Sequence, residues 1–175
     1  MLSFRANRVN FLATFGQKTS LSRIFLESCV DGVATGTLTG RMTPVVVDTD
    51  VASFLFKNHS RAQAYLPHLH DRQWLMSFMT EAELEQWALL SNWQSKRIEW
   101  LQAFLGRFVI VPSSRDLVLK WAEVMVAARR NGRRLETADA WIAATATLYA
   151  APRITHNASD YLGVPGLKLI TEAAP

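Results

Sequence analysis

The chain has 175 residues, is 49% hydrophobic and 10% aromatic, and carries a formal charge of +4. That length and apolar content suit one packed domain with an appendage and argue against a disordered chain. The single cysteine, Cys29, excludes an internal disulfide framework and any cysteine-based metal site, and no apolar run is long enough to span a bilayer; a cytoplasmic location is expected.

Residues 1–43 hold five basic residues (Arg5, Arg8, Lys18, Arg23, Arg41) and two acidic ones (Glu27, Asp31), so the charge is concentrated there and the remaining body is nearly neutral. The first 26 residues contain no acid, which mimics an organelle transit peptide. The segment has no sustained helical or strand period, and it reads as a flexible extension or an over-long start assignment. The folded domain is expected over residues 44–175.

Val45-Val46-Val47 is a β-branched run suited to a strand covered on both faces, as in a parallel sheet. Asp48 follows at once. Chemistry in open α/β sheets gathers at the carboxyl ends of strands, so Asp48, with Asp50 close behind, is a candidate metal ligand; it is equally a helix N-cap. A short helix follows from Val51. Ser60 to His70 forms an amphipathic helix that Pro67 should kink or end. His68 and His70 are two residues apart, a spacing that points them away from each other on a helix, and they read as surface histidines.

Gln73 to Met79 reads as a second strand. Thr80 then caps a helix that has Glu81 and Glu83 in its first turn and Leu84, Trp87, Ala88 and Leu90 as its apolar stripe. Ser95 to Leu105 is a helix with Ile98, Leu101, Phe104 and Leu105 inward, ended by Gly106 as a residue that tolerates positive φ. Phe108 to Val111 is a third strand. Ser114 to Arg130 is a long helix, and Asn131-Gly132 a turn. Arg129, Arg130, Arg133 and Arg134 form a basic cluster, either a clamp for RNA phosphates or helix-end charge on a solvated turn. Thr137 caps a helix over Ala138 to Tyr149 with Asp139 in its first turn. Arg153 to His156 is a fourth strand, Asn157 to Asp160 a polar turn, and Leu167 to Thr171 a fifth strand. This order gives an α/β domain with a mainly parallel sheet.

Strand ends in such a sheet share one edge. Asp48, Glu83 and Asp160 fall there. Clustered carboxylates repel, and a hard divalent cation, Mg²⁺ or Mn²⁺, removes the cost; it also lowers the pKa of a bound water and offsets charge on a scissile phosphate. No Ser-His or Cys-His pair, Walker loop or dinucleotide glycine pattern competes.

Four blocks carry a family resemblance: Val45-Val-Val-Asp48-Thr-Asp50-Val, Thr80-Glu-Ala-Glu83-Leu, Ala138-Asp139-Ala-Trp-Ile-Ala-Ala-Thr-Ala, and Thr155-His-Asn157-Ala-Ser-Asp160-Tyr followed by Gly163-Val-Pro-Gly166-Leu. In this order and spacing, over residues 44–171, the chain resembles a PIN-domain ribonuclease, specifically a VapC-type toxin of a toxin–antitoxin pair. The resemblance implies a PIN-like three-layer α/β fold and metal-dependent cleavage of RNA. It places Asp139 at the same edge and selects Glu83 over Glu81 and Glu85. It makes Asp48 and Asp139 the principal metal ligands, completed by Glu83, with Asp160 holding a water or second metal. Asn157 would orient the site, with Thr80 and Asp50 in support. Homodimerisation, and silencing by a small antitoxin protein that inserts a segment at the acidic groove, are also implied. Asp50 stands where Asn is common, Trp87 where many relatives have Gly, and residues 1–43 have no counterpart. Two other functions fit parts of the pattern: a haloacid-dehalogenase-type phosphatase with Asp48 as covalent nucleophile, and a PIN-like module that binds without catalysis.

Overall fold

The computed structural model describes residues 42–173; the expectations for residues 1–41 lie outside the described residues. Five strands form one parallel sheet in the order β3-β2-β1-β4-β5: β1 Thr43–Val47, β2 Arg72–Ser77, β3 Val109–Val111, β4 Arg153–Ile154 and β5 Leu169–Ile170. Helices fill the connections: α1 Thr49–Phe56, α2 Ala62–Leu69, α3 Phe78–Leu90, α4 Ser95–Leu105, α5 Arg115–Arg130 and α6 Thr137–Leu148. The chain steps outward from β1 through β2 to β3, then returns across β1 to β4. The direction of winding therefore reverses between β1 and β4, the position at which open α/β sheets place their ligand crevice.

The valine run divides its side chains between two cores, as the two-residue period of a strand requires. Val45 and Val47 join Met76, Ile154 and the inner faces of α1 to α4 on one side; Val46 and Leu75 join α5 and the alanine face of α6 on the other. All three valines are fully buried, each worth about 1.5–3 kcal/mol relative to exposure. The alanines of α6 (Ala140, Ala143, Ala144, Ala146) let its backbone lie close against the sheet. Trp87 is absorbed by the first core. It packs edge-on to Phe56 and Trp93, with Lys57 Nζ 4.2 Å above its ring.

Several local expectations are corrected. β2 ends at Ser77, whose hydroxyl accepts from the Met79 amide and caps α3; Thr80 lies inside the helix and Glu83 in its second turn. Thr137 is the first residue of α6, with Glu136 in the capping position. Pro67 sits within α2 without ending it, because the His70 amide closes the last turn on the Leu66 carbonyl at 3.1 Å. Gly106 ends α4 with φ −61°, so positive φ is not what it supplies. Leu90 is 76% exposed and Ile98 38% exposed, off the stripes assigned to them. β4 and β5 are two residues each, shorter than the runs of four and five expected. Gly132 takes φ +67° in the turn after α5, and Gly163 is required by close approach: a Cβ there would lie 2.6 Å from the Arg133 Cβ.

Candidate active site at the carboxyl edge of the sheet

Asp48 leaves β1 in extended conformation (φ −75°, ψ 159°) and is the N-cap of α1. Its Oδ1 caps α1 by accepting from the Thr49 amide at 2.8 Å, while Oδ2 faces the edge and accepts from Arg153 Nη2 at 2.5 Å. The side chain is 8% exposed. Arg153 comes from β4, in register with Val46 of β1, and is fully buried. Ile154 faces the first core, so strand alternation turns Arg153 toward α6. There Nη1 lies 3.5 Å from the Asp139 carbonyl oxygen, and Nη2 lies 3.8 Å from Asp139 Oδ1 and donates to the Tyr161 hydroxyl. The Tyr161 hydroxyl in turn donates to Asp139 Oδ1, and its ring stacks on the guanidinium with the Arg153 Cζ 3.3 Å from the ring centroid. Asp48 and Asp139, 91 residues apart in sequence, are thus joined through one guanidinium and one phenol.

Glu83 reaches the same edge from α3. The Thr49 hydroxyl donates to its Oε2 at 2.5 Å, and Thr80 Oγ1 lies 3.2 Å from Thr49 Oγ1. Glu85 instead accepts from Gln102 on α4 at 2.6 Å. Burial pushes the Glu83 carboxyl up from the usual range and the nearby Asp48 and Asp139 charges add to this, against the opposing Thr49 bond. Asp139 is raised for the same first reason, with Asp48 and Asp160 adding and the Tyr161 bond and Arg153 opposing. Asp48, Glu83 and Asp160 each lie close enough to Asp139 for their charges to act on one another. Asp160 itself is exposed, on a turn of 3-10 helix, Ala158–Tyr161, after β4. Asn157 is also exposed; its amide N–H donates to Thr155 Oγ1 and its side chain bonds to nothing among the described residues.

Asp50 is spent on structure. Its Oδ1 accepts from the Val51 amide at 2.5 Å and its Oδ2 from the His156 amide at 2.7 Å, which ties α1 to the segment leaving β4. Burial, followed by the charge of Asp48, pushes its carboxyl up to about 7, against these two amide bonds and Arg153. His68 and His70 do not form a pair: His68 meets Glu172 at 2.5 Å and His70 meets Asp71 at 2.8 Å. The four arginines are all exposed. Arg129, Arg133 and Arg134 line an open pocket of about 490 Å³ floored by Met125, Val126 and Leu135, immediately before the α6 turn that holds Asp139.

The carboxylate set is a hard-oxygen donor set with one cation among it, a charge excess that suits Mg²⁺ or Mn²⁺. Among the described residues no three acids or histidines are drawn together at ligand spacing. Asp48 Oδ2 accepts from Arg153, and Asp139 Oδ1 accepts from Tyr161 with Arg153 Nη2 3.8 Å away. Sequence reasoning missed Arg153 and Tyr161. The signal for the first was present: an arginine inside a short, doubly covered parallel strand needs a buried acid.

The model of the PIN domain matches residues 45–161, spanning the sheet from β1 to the turn that carries Asp160 and Tyr161. The chain belongs to the PIN-domain family. Among curated relatives, Ribonuclease VapC1 of Haemophilus influenzae (strain R2866) is 27% identical over 128 residues, covering 70% of this chain and 93% of that protein. Among solved structures, VapBC2 from Rickettsia felis, bound to a DNA fragment from its promoter, superposes with a TM-score of 0.66 at 20% identity, over 74% of this chain and 98% of that one. VapBC-1 from nontypeable Haemophilus influenzae superposes with a TM-score of 0.62 at 24% identity, over 74% and 98%. These two superpositions show the PIN fold, and the long residues 1–41 fall outside the family match. Among the described residues no helix is long and apolar enough to cross a membrane.

Proposed function

We propose that this PIN-domain protein is a divalent-metal-dependent endoribonuclease of the VapC type, the toxin of a toxin–antitoxin pair. The observation that carries the reading is that Asp48 and Asp139 share Arg153 at the switch point of the sheet, while Glu83 is held by the hydroxyl of Thr49, the neighbour of Asp48. The names of the relatives supply the substrate class: the curated ones are ribonucleases. Solved neighbours are complexes of the VapBC kind, which supports a small antitoxin as partner; a homodimer is part of the same reading. A cytoplasmic location belongs to the same reading.

Asp48, Asp139 and Glu83 would hold the ion, with Asp160 at its outer side. Bound there, Mg²⁺ or Mn²⁺ supplies electrophilic activation of water and charge compensation at the scissile phosphate. The chain's own residues do the positioning. The Thr49 amide fixes Asp48 Oδ1 at the N-terminus of α1. The Thr49 hydroxyl fixes the Glu83 rotamer, and the Tyr161 hydroxyl fixes Asp139. Arg129, Arg130, Arg133 and Arg134 lie on the approach to α6, where single-stranded RNA phosphates would be drawn. Asp48 is a poor candidate for a covalent phosphatase nucleophile, since both its oxygens are engaged and the side chain is 8% exposed.

One observation favours a second reading. Arg153 already neutralises Asp48, as a binding module without catalysis would require. Cleavage of a labelled single-stranded RNA by the purified protein in Mg²⁺ or Mn²⁺, against Asp139→Asn and Glu83→Gln, separates the two. Wild-type cleavage that falls at least about 100-fold in either variant, with the fold intact by circular dichroism, is expected for residues acting in the transition state. Absence of metal-dependent cleavage by the wild type establishes the binding module instead.

A further inference from the structure

Arg153 is the most buried charge in the described domain, and its setting is specific. It is 0% exposed, it sits in a two-residue strand between β1 and β5, and its plane is fixed by the Tyr161 ring 3.3 Å from its Cζ. Its Nη2 faces Asp48 Oδ2 at 2.5 Å and Asp139 Oδ1 at 3.8 Å, while its Nε, buried, has no acceptor. A guanidinium placed for stability alone would have its five donors satisfied. Here the geometry serves the two carboxylates that face the edge. Glu83 and Asp160 have no ion pair among the described residues, so a single cation stands against four acids.

We propose that Arg153 is a resident counter-cation of the acidic centre, competing with a divalent ion for the Asp48 and Asp139 carboxylates, so that metal loading requires it to release Asp48. The proposal rests on the metal-dependent reading above and adds to it a residue that sets metal affinity. Two consequences follow. The metal-free protein folds with its principal acids already compensated. Divalent-ion affinity is held low, because a fixed positive charge within a few ångströms of the ion opposes its entry. Arg153 is a positioning residue: it acts through Asp48 and Asp139 and, being buried, touches no substrate.

The test is calorimetric titration of Mn²⁺ into chelator-stripped full-length wild type, Arg153→Met and Arg153→Lys, with melting temperatures measured with and without Mn²⁺. Arg153→Met is expected to bind Mn²⁺ at least about tenfold more tightly than wild type and to gain the larger rise in melting temperature, with Arg153→Lys close to wild type. Equal or weaker Mn²⁺ binding by a folded Arg153→Met overturns the proposal and leaves the metal reading standing. Absence of Mn²⁺ binding by wild type and Arg153→Met alike overturns the metal reading itself. If Arg153→Met folds only when Mn²⁺ is present, the proposal is supported, because the ion then replaces the guanidinium. If it folds in neither condition, the decision passes to the wild type: the Arg153 Nε–H nuclear resonance, identified by its loss in Arg153→Lys, is expected to shift on Mg²⁺ addition, and an unmoved resonance at saturating Mg²⁺ overturns the proposal.

Discussion

The Thr49 hydroxyl donates to Glu83 Oε2 at 2.5 Å and thereby ties the first residue of α1 to the second turn of α3 across the β1–β2 pair. Thr49 is the neighbour of Asp48, so one dipeptide caps a helix, anchors one acid and presents another. Asp48 is fixed by its backbone neighbour and by Arg153; among the described residues Glu83 has this hydroxyl alone. Thr49→Val keeps the shape and removes the bond. It is expected to lower cleavage about tenfold while costing about 1 kcal/mol of stability, the scale of a single hydrogen bond. Thr49→Ser should restore both. Steady-state cleavage and urea denaturation check this.

Tyr161 connects Arg153 to Asp139 by accepting from one and donating to the other. Tyr161→Phe keeps the ring on the guanidinium and leaves a buried Nη and a carboxylate oxygen short of a partner. The expected loss of stability is about 1–3 kcal/mol, read from the urea midpoint. Cleavage should fall mainly through kcat, since Asp139 loses its fixed orientation while the RNA surface is unchanged.

Asp50 gives the protein a pH-dependent stability. Its carboxyl is pushed up to about 7, chiefly by burial, from an ordinary value of 3.8. Between those values the folded state binds the proton more tightly than the unfolded state. Its contribution is therefore fully present below pH 4 and is lost as pH rises through 7. Asp50→Asn has no such proton to lose. In metal-free buffer, the wild type should lose on the order of 2 kcal/mol relative to Asp50→Asn between pH 5 and pH 8.5, with the curves converging at the acid end. Parallel curves across that window would contradict the assignment.

The arginine cluster can be read through salt. Removing two phosphate contacts from a single-stranded complex should reduce the slope of log K against log salt by about 1.4. Arg133→Ala with Arg134→Ala is expected to do this and to weaken binding of unrelated RNA sequences alike, because phosphate contacts carry no base information. Melting temperature should stay within about 2 °C, as both side chains are exposed surface. Fluorescence anisotropy with a catalytically silenced Asp139→Asn background gives both numbers.

Much of the sheet was legible because its signals are local. Three valines before an aspartate mark a covered strand and its carboxyl end, and alanines after Asp139 mark a helix that packs close. The resemblance of four blocks placed the acids in order. Boundaries slipped where two residues compete for one role, as Ser77 and Thr80 do for the cap of α3. Leu90 and Ile98 were placed by period alone, and which face meets the sheet is not a property of the period.

What the chain by itself determined is the register of its apolar residues, the parallel sheet that follows, and the seat of Asp48 at the carboxyl end of a strand. What only the tertiary structure decided is how the acids are held: Glu83 by a threonine hydroxyl, Asp139 by a tyrosine, Asp48 by a buried arginine from a strand more than a hundred residues later. The reason is physical. Strand and helix periods are written in neighbouring residues, whereas the neutralisation of a buried carboxylate depends on which distant donor the fold brings within three ångströms of it.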